Sequence, residues 1–381
     1  MMREQRVGIV GGGQLGMMLA EAAPPLGITV AVIDKVGCPA SFAGAQVIEG
    51  NITSADAIHQ LAAWAPTVTV EIEHINTGAL HEVKNEGTAV HPSPETLKMI
   101  KDKYAQKVFL KNAGIPTADF LAIDAEEDFT KAGNEYGYPY VLKARHGAYD
   151  GRGNERVNSA EDLSRAREKL GDTALYAEKF VPFVKELAVM VARSTNGEIA
   201  TYPVVETIHE KDILRYTLAP AEISDEAIEK AKTLARSVME HLQGAGVFGI
   251  EMFLTADGEI LINEIAPRVH NSGHYTIEGC ETSQFTQHLL AITGRPLRNT
   301  EMVAPAAVMI NILGDSDDPE KTLKGEEETQ ALGDVYVHLY HKKPKNPPDR
   351  LRKNGHITVL GNSIAEARKK ADHARSMIHY G

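Results

Sequence analysis

Cysteine is nearly absent: 381 residues hold two, Cys38 and Cys280, and neither lies in a Cys-x-x-Cys or Cys/His cluster. That excludes a disulfide framework and a thiolate zinc site, and a reducing, cytoplasmic setting is expected. Long apolar runs are missing too. The longest are strand-sized, far short of the ~20 residues that cross a bilayer, so no membrane partner is expected. Met1 to Arg6 leads straight into a strand and a glycine turn, with no apolar stretch of the signal-peptide kind. Basic residues do not predominate: 40 Lys and Arg stand against 52 Asp and Glu, a net charge of -12. A surface of that sign repels nucleic acid and anionic lipid. No internal repeat, low-complexity tract or GxxxxGK(S/T) phosphate loop is found. What remains is an ordinary globular mix, 43% hydrophobic and 24% charged. At about 150 residues per domain the length suits an enzyme of two or three domains.

The first 95 residues alternate strands (7–10, 29–33, 68–72) with helices (14–23, 54–64, 77–86), the pattern of a parallel sheet with crossover helices. A single long helix is expected from Ser93 to Asn112, then strands at 119–123 and 140–143 and a glycine-rich loop from His146 to Asn154. Ser159 and Asp162 read as a capping box opening the next helix. Residues 175–220 are strand-rich, with one strand expected over 199–206, and 225–242 form an amphipathic helix. Strands at 306–313, 335–340 and 356–359 and a helix at 364–377 complete the chain.

Gly11, Gly13 and Gly16 satisfy GxGxxG between a strand and a helix, with Asp34 after the next strand. Three readings stay open: a dinucleotide site, a site for another phosphate, or a tight turn of a parallel sheet. On the third strand Thr69, Glu71 and Glu73 share a face by the period of two, so the acids point to the crevice beyond the strand ends or to a solvated edge.

The hairpin Gly249–Ile265 carries the clearest chemistry. With Asp257-Gly258 as a two-residue turn of type I′, Ala256 faces Glu259, and that register sets Glu251 directly opposite Glu264. Like charges there disfavour a hairpin unless a cation lies between them or one is protonated, and all-oxygen donors suit Mg²⁺. Two solvated acids on an exposed face is the plainer alternative. Asn263 faces the other way unless the strand bulges. Lys143 ends an apolar strand just before the glycine loop, a pairing suited to a polyphosphate. His270 and His274 lie four apart, but in a Pro/Gly-interrupted segment better suited to phosphate or sugar than to zinc. Arg350, Arg352, Lys353 and His356 form a second basic cluster.

GGGQLG at 11–16, KARHGAYDGRG at 143–153, EKFV at 178–181, GVFGIEMF at 246–253, NEIAPRVHNSGHYTIEG at 263–279 and RKNGH at 352–356 resemble the 5-(carboxyamino)imidazole ribonucleotide synthase family. These are ATP-grasp ligases of purine biosynthesis. The resemblance implies an α/β and α+β fold: a Rossmann-like domain over 1–95, an ATP-grasp domain over 96–298 and a small β-rich domain over 299–381, in a homodimer. It implies that ATP and bicarbonate carboxylate the exocyclic amine of aminoimidazole ribonucleotide through carboxyphosphate. Lys103 and Lys143 would contact the ATP phosphates, covered by the loop of Gly147, Ala148, Tyr149, Gly151, Gly153 and Asn154. Glu178, Lys179, Phe180 and Val181 would hold adenine and Glu186 the ribose, with His209 and Asn263 nearby and Glu251 and Glu264 on Mg²⁺. Gln14, Glu73, Tyr149, Arg152, His270, Asn271, Ser272 and Lys353 would meet the ribonucleotide, with Asp150, Lys353 and Arg268 as catalytic groups.

The sequence departs from the family in having Met17 after GGGQLG, where Arg is common, and in a longer, proline-rich 342–351. Some eukaryotic relatives carry a further carboxylase domain, and this chain ends at Gly381. Competing readings are a formate- or biotin-dependent ATP-grasp enzyme, a nicotinamide-dependent oxidoreductase and a non-catalytic nucleotide sensor.

Overall fold

The computed structural model describes residues 5–147, 153–314, 318, 321–342 and 352–381. The N-terminal strands form a five-stranded parallel sheet ordered Gln46–Glu49, Ile28–Asp34, Gln5–Val10, Thr67–Val70, Ala89–Val90. Sequential strands first build to one side of Gln5–Val10 and then to the other. The glycine turn that follows Gln5–Val10 therefore opens at the point where strand order reverses, beside the crevice of such sheets. Met17 is 2% exposed and packs in the core under this turn.

Residues 93–112 are two helices, Pro94–Lys101 and Lys103–Asn112, and not one. The break is at Asp102, whose backbone is extended and whose carboxylate accepts the amides of Tyr104 and Ala105 at 3.0 and 3.1 Å. Aspartate stabilises a helix start better than a helix interior. The apolar period runs through the break and conceals it, yet the break makes Lys103 the first residue of a helix. The capping box at Ser159 does not form: Asp162–Leu170 starts without a side-chain cap, and Asp162 accepts from the amide and side chain of Asn158.

A four-stranded antiparallel sheet follows, ordered Phe120–Ile123, Leu175–Lys179, Tyr140–Ala144, Asn154–Val157. Helices Glu126–Tyr136 and Asp162–Leu170 close its core through Phe129, Ala132 and Ala166.

The largest sheet runs Ile260–Ala266, Gly246–Thr255, Phe183–Arg193, Val205–Glu210, Ile213–Ala219, Ala306–Leu313, Lys353–Gly361, Val335–Leu339, with Ile199–Thr201 on the side of Phe183–Arg193. The strand expected over 199–206 is thus two, with Pro203 between them. Ala306–Leu313 pairs with Ile213–Ala219, so the C-terminal strands extend the central sheet. Helix Asp225–His241, capped by Ser224, packs Ala227, Ala231, Ala235, Val238 and Met239 into the core shared with this sheet. Among the described residues no helix is long and apolar enough to cross a membrane.

Candidate active site

Glu251 and Glu264 are direct cross-strand partners, as expected. The turn that was to put them there is different. The amide of Thr255 donates to the carbonyl of Glu259 at 2.9 Å, and Gly258 takes φ +82°. The loop is therefore the three residues Ala256, Asp257 and Gly258, and not a type I′ pair. Leu254 then meets Ile260 and Met252 meets Ile262, one residue out of the expected register, until a bulge at Asn263 restores it and Glu251 meets Glu264. The same bulge is what Asn263 requires to leave the opposite face.

Burial, and after it the charge of Glu264, pushes the Glu251 carboxyl up to about 7. Lys103 reaches across from its helix start, with Nζ 2.8 Å from Glu264 Oε2. Burial opposes its charge, but Glu264 and Glu251 outweigh burial and hold the lysine above its usual range. His270 Nε2 lies 3.7 Å from Glu251 Oε1. Burial and the nearby Arg268 drive His270 down to about 3, so its ring is neutral and supplies no counter-charge. Glu186 and His209 pair at 2.7 Å. Burial alone would lower His209, yet Glu186 raises it. Among the described residues the two facing acids have one lysine in contact, with His209 taken up by Glu186 and Arg268 by Glu73, so positive charge is short. Their all-oxygen set fits Mg²⁺, which commonly takes one or two carboxylates and fills its shell from phosphates and water. Of the two histidines four apart, His270 Nδ1 meets Ser272 Oγ at 2.8 Å, and His274 is fully buried with Nδ1 3.2 Å from Gln284 Nε2.

Lys143 and Lys107 grip one buried acid: Lys143 Nζ is 2.5 Å from Glu178 Oε1 and Lys107 Nζ 2.8 Å from Oε2. Burial would raise Glu178, but the two lysines lower it to about 2. Its carboxylate is thereby taken up, and Glu178 sits in a strand paired on both sides, opposite Phe120 and Val141. Lys179 is exposed beside Asp119, Phe180 lies under Arg156 at 4.3 Å, and Val181 accepts from the Phe183 amide. Phe183 stacks on Phe253 at 4.6 Å. Gly147 and Gly153 take φ +74° and +87°, and Asn154 pairs with Lys143. Ala148, Tyr149, Asp150, Gly151, Arg152 and Arg350 lie outside the described residues.

Thr69, Glu71 and Glu73 do not act as one face. The strand ends at Val70, and the three side chains part. Thr69 Oγ1 meets His288 Nε2 at 2.8 Å. Glu73 forms a bidentate pair with Arg268, at 2.7 Å to Nε and 3.2 Å to Nη2. Burial would raise Glu73, but Arg268 lowers it to about 2. Glu71 turns back into the glycine turn and accepts the amides of Gly13 and Gly16 at 2.5 and 2.6 Å, while Asp34 accepts that of Gly12 at 3.2 Å. The cradle that a dinucleotide would need is filled by the chain's own acids, which removes the dinucleotide reading. Gln14 begins the helix at the rim of this turn.

His270 Nδ1 meets Ser272 Oγ at 2.8 Å, and Asn271 exchanges two hydrogen bonds with Asn311. Lys353 starts the strand Lys353–Gly361, and its charge acts on both His270 and His209. His356 is lost to the basic cluster: it is fully buried, bonded to Tyr340 and stacked on His338. Sequence reasoning missed Lys107, Asn311 and Phe253. The first two left signals, since Lys107 stands one helical turn from Lys103 and Asn311 interrupts an apolar strand.

Residues 4–101 match the ribonucleotide synthetase preATP-grasp domain, 108–285 the ATP-grasp domain and 307–370 the phosphoribosylaminoimidazole carboxylase C-terminal domain. A phosphoribosylaminoimidazole carboxylase of Schizosaccharomyces pombe is 44% identical over 97% of this chain, which spans about two thirds (67%) of that protein's length. An N5-carboxyaminoimidazole ribonucleotide synthase of Synechococcus elongatus is 39% identical over 98% of this chain and 94% of its own. The crystal structure of N5-carboxyaminoimidazole synthase from Aspergillus clavatus, in complex with ADP and 5-aminoimidazole ribonucleotide, superposes with a TM-score of 0.91 at 39% identity, covering 99% of both chains. With matches this extensive and facing carboxylates beside paired lysines, the chain belongs to the N5-carboxyaminoimidazole ribonucleotide synthase family of ATP-grasp ligases.

Proposed function

We propose that this chain carboxylates the exocyclic amine of 5-aminoimidazole ribonucleotide at the expense of ATP and bicarbonate. A bicarbonate oxygen attacks the γ-phosphorus and ADP leaves, giving carboxyphosphate. The amine then takes up the carboxyl carbon, or carbon dioxide released from it, as phosphate departs and the amine loses a proton. Bicarbonate is a poor electrophile, and this activation is what ATP supplies. Lys103 and Lys143 orient the triphosphate and spread its charge, since phosphoryl transfer depends on positioning and electrostatics. Mg²⁺ held by Glu251 and Glu264, with Asn263 beside them, would neutralise charge on the transferring group.

Glu178 to Val181 are assigned to adenine, and Glu186 with His209 to the ribose. Arg268 and Glu73, with Gln14, His270, Asn271, Ser272 and Lys353, form the ribonucleotide side, and neutral His270 lies between it and the cation site. Asp150 and Lys353 are assigned to proton transfer, and Tyr149 and Arg152 to the same substrate. The division near residues 95 and 298, a homodimer and a cytoplasmic setting belong to this reading. Two buried free thiols support the last, and mass in solution tests the dimer.

The observation that carries the proposal is the cross-strand Glu251–Glu264 pair with Lys103 on Glu264. Its test is ADP release with Mg²⁺, bicarbonate and ribonucleotide omitted one at a time. Loss of turnover with each omission is expected. Turnover indifferent to the ribonucleotide contradicts the proposal.

A further inference from the structure

The glycine turn has the form of a phosphate cradle and is closed to phosphate. Glu71 continues the sheet by donating its amide to the Val10 carbonyl at 3.2 Å, then folds its carboxylate under the turn that Val10 enters. Gly11 and Gly13 answer to this side chain, and Gly16 to the Gly11 carbonyl with the side chain behind it. A Cβ at Gly11 would lie 2.5 Å from Glu71 Cγ, one at Gly13 2.7 Å from Oε1, and one at Gly16 2.8 Å from the Gly11 carbonyl and 3.3 Å from Oε2. The approaches under 3.0 Å are closer than real Cβ contacts, so Gly11 and Gly13 leave room for a resident carboxylate, and Gly16 leaves room first for the Gly11 backbone. Glu71 also connects the two walls of the ribonucleotide side. It clasps both flanks of Gln14 and stands two residues before Glu73, the partner of Arg268.

We propose that the Glu71 carboxyl group is the resident occupant of the cradle and holds the glycine turn in register with the Glu73–Arg268 pair. It is then a positioning residue for the ribonucleotide. The inference rests on the assignment of Gln14, Glu73 and Arg268 to that substrate. Glu71 touches neither substrate, so its effect falls on one Michaelis constant.

The experiment is steady-state ADP release by wild type, Glu71→Ala and Glu71→Gln, varying ribonucleotide and ATP separately, with and without sodium formate. Removing the two bonds from the amides of the turn raises the ribonucleotide KM of Glu71→Ala about tenfold or more and leaves that of ATP within about twofold. Formate, the carboxylate that fits the vacated cradle, lowers the raised KM of this variant with saturation and leaves wild type unchanged. Glu71→Gln keeps the shape but sets an NH₂ against an amide N–H, so its ribonucleotide KM rises and formate does not restore it. A parallel rise for both substrates, or a folded Glu71→Ala indifferent to formate, overturns the proposal. If Glu71→Ala does not fold, Glu71→Gln decides, and a wild-type ribonucleotide KM in that variant overturns it. Absence of ribonucleotide-dependent turnover in wild type would instead strike the functional reading beneath it.

Discussion

Two places in this molecule gather carboxylates, and they treat them in opposite ways. At the glycine turn Glu71 has both oxygens satisfied by backbone amides, so the fold completes the site by itself. At the hairpin Glu251 and Glu264 confront each other with, among the described residues, a single contacting lysine and a neutral histidine, which leaves the pair short of positive charge. The first has the outline of a ligand motif and no room for the ligand. The second has no named motif in local sequence and a physical need for one. Balancing donors, acceptors and charge separates them where motif matching would rank them the wrong way round.

The sharpest way to break this contrast is to neutralise the open site. Glu251→Gln and Glu264→Gln should each lower Mg²⁺-dependent ADP release by about 100-fold or more while circular dichroism stays native. Near-normal rates would make the hairpin a structural feature only. Gly13→Ala attacks the closed site. With its Cβ 2.7 Å from Glu71 Oε1, it should cost about 2–3 kcal/mol in denaturant unfolding. Combining it with Glu71→Ala should recover about 1 kcal/mol or more of that loss, because the clash disappears with the carboxylate. Strict additivity would deny that the glycine serves Glu71.

A pH series compares the sites without substitution of the turn. Glu251 is raised when folded, so its stabilising contribution is complete below its unfolded value of 4.5 and is lost as pH rises through about 7. In divalent-free buffer, Tm should therefore fall more steeply over about pH 5 to 8 in wild type than in Glu264→Gln, where the repelling charge is gone. Added Mg²⁺ should flatten the wild-type slope. Parallel slopes would mean that the two acids do not feel each other. The smallest effect belongs to Asp34→Ala, which removes one part-buried bond from the Gly12 amide at 3.2 Å and one exposed bond from the Lys35 amide at 2.7 Å. It should cost about 0.5–1 kcal/mol and leave the ribonucleotide KM unchanged, and a large KM effect would return the ligand-binding role to the dinucleotide-type acid.

Much of this was legible from local pattern. The helices expected at 54–64, 77–86, 225–242 and 364–377 are present, and Ser54, Asn76, Ser224 and Ser363 cap their starts as these residue types prefer. The Glu251–Glu264 pair was legible because strand alternation and one turn determine which residues face. It came out correct although the turn was read as one residue too short, since the bulge at Asn263 cancelled the error. The closed cradle was not legible. Glu71 lies 58 residues from Gly13, and only the pairing of Thr67–Val70 with Gln5–Val10 brings them together. The same holds for the Asp102–Arg145 pair, which ties the start of the Lys103 helix to the strand end before the glycine loop. The continuation of the central sheet into the C-terminal strands was hidden because strand order in an antiparallel sheet is a tertiary choice.

Proton release on binding Mg²⁺ and ADP near pH 7, measured by calorimetry in buffers of differing ionisation enthalpy, tests the cation site most directly. A carboxyl raised to about 7 by burial and by its facing partner must give up its proton when a cation takes its place. Wild type should release protons in excess of Glu251→Gln, and the excess should vanish above about pH 9. Equal release by both proteins across that range would contradict a divalent ion between these strands.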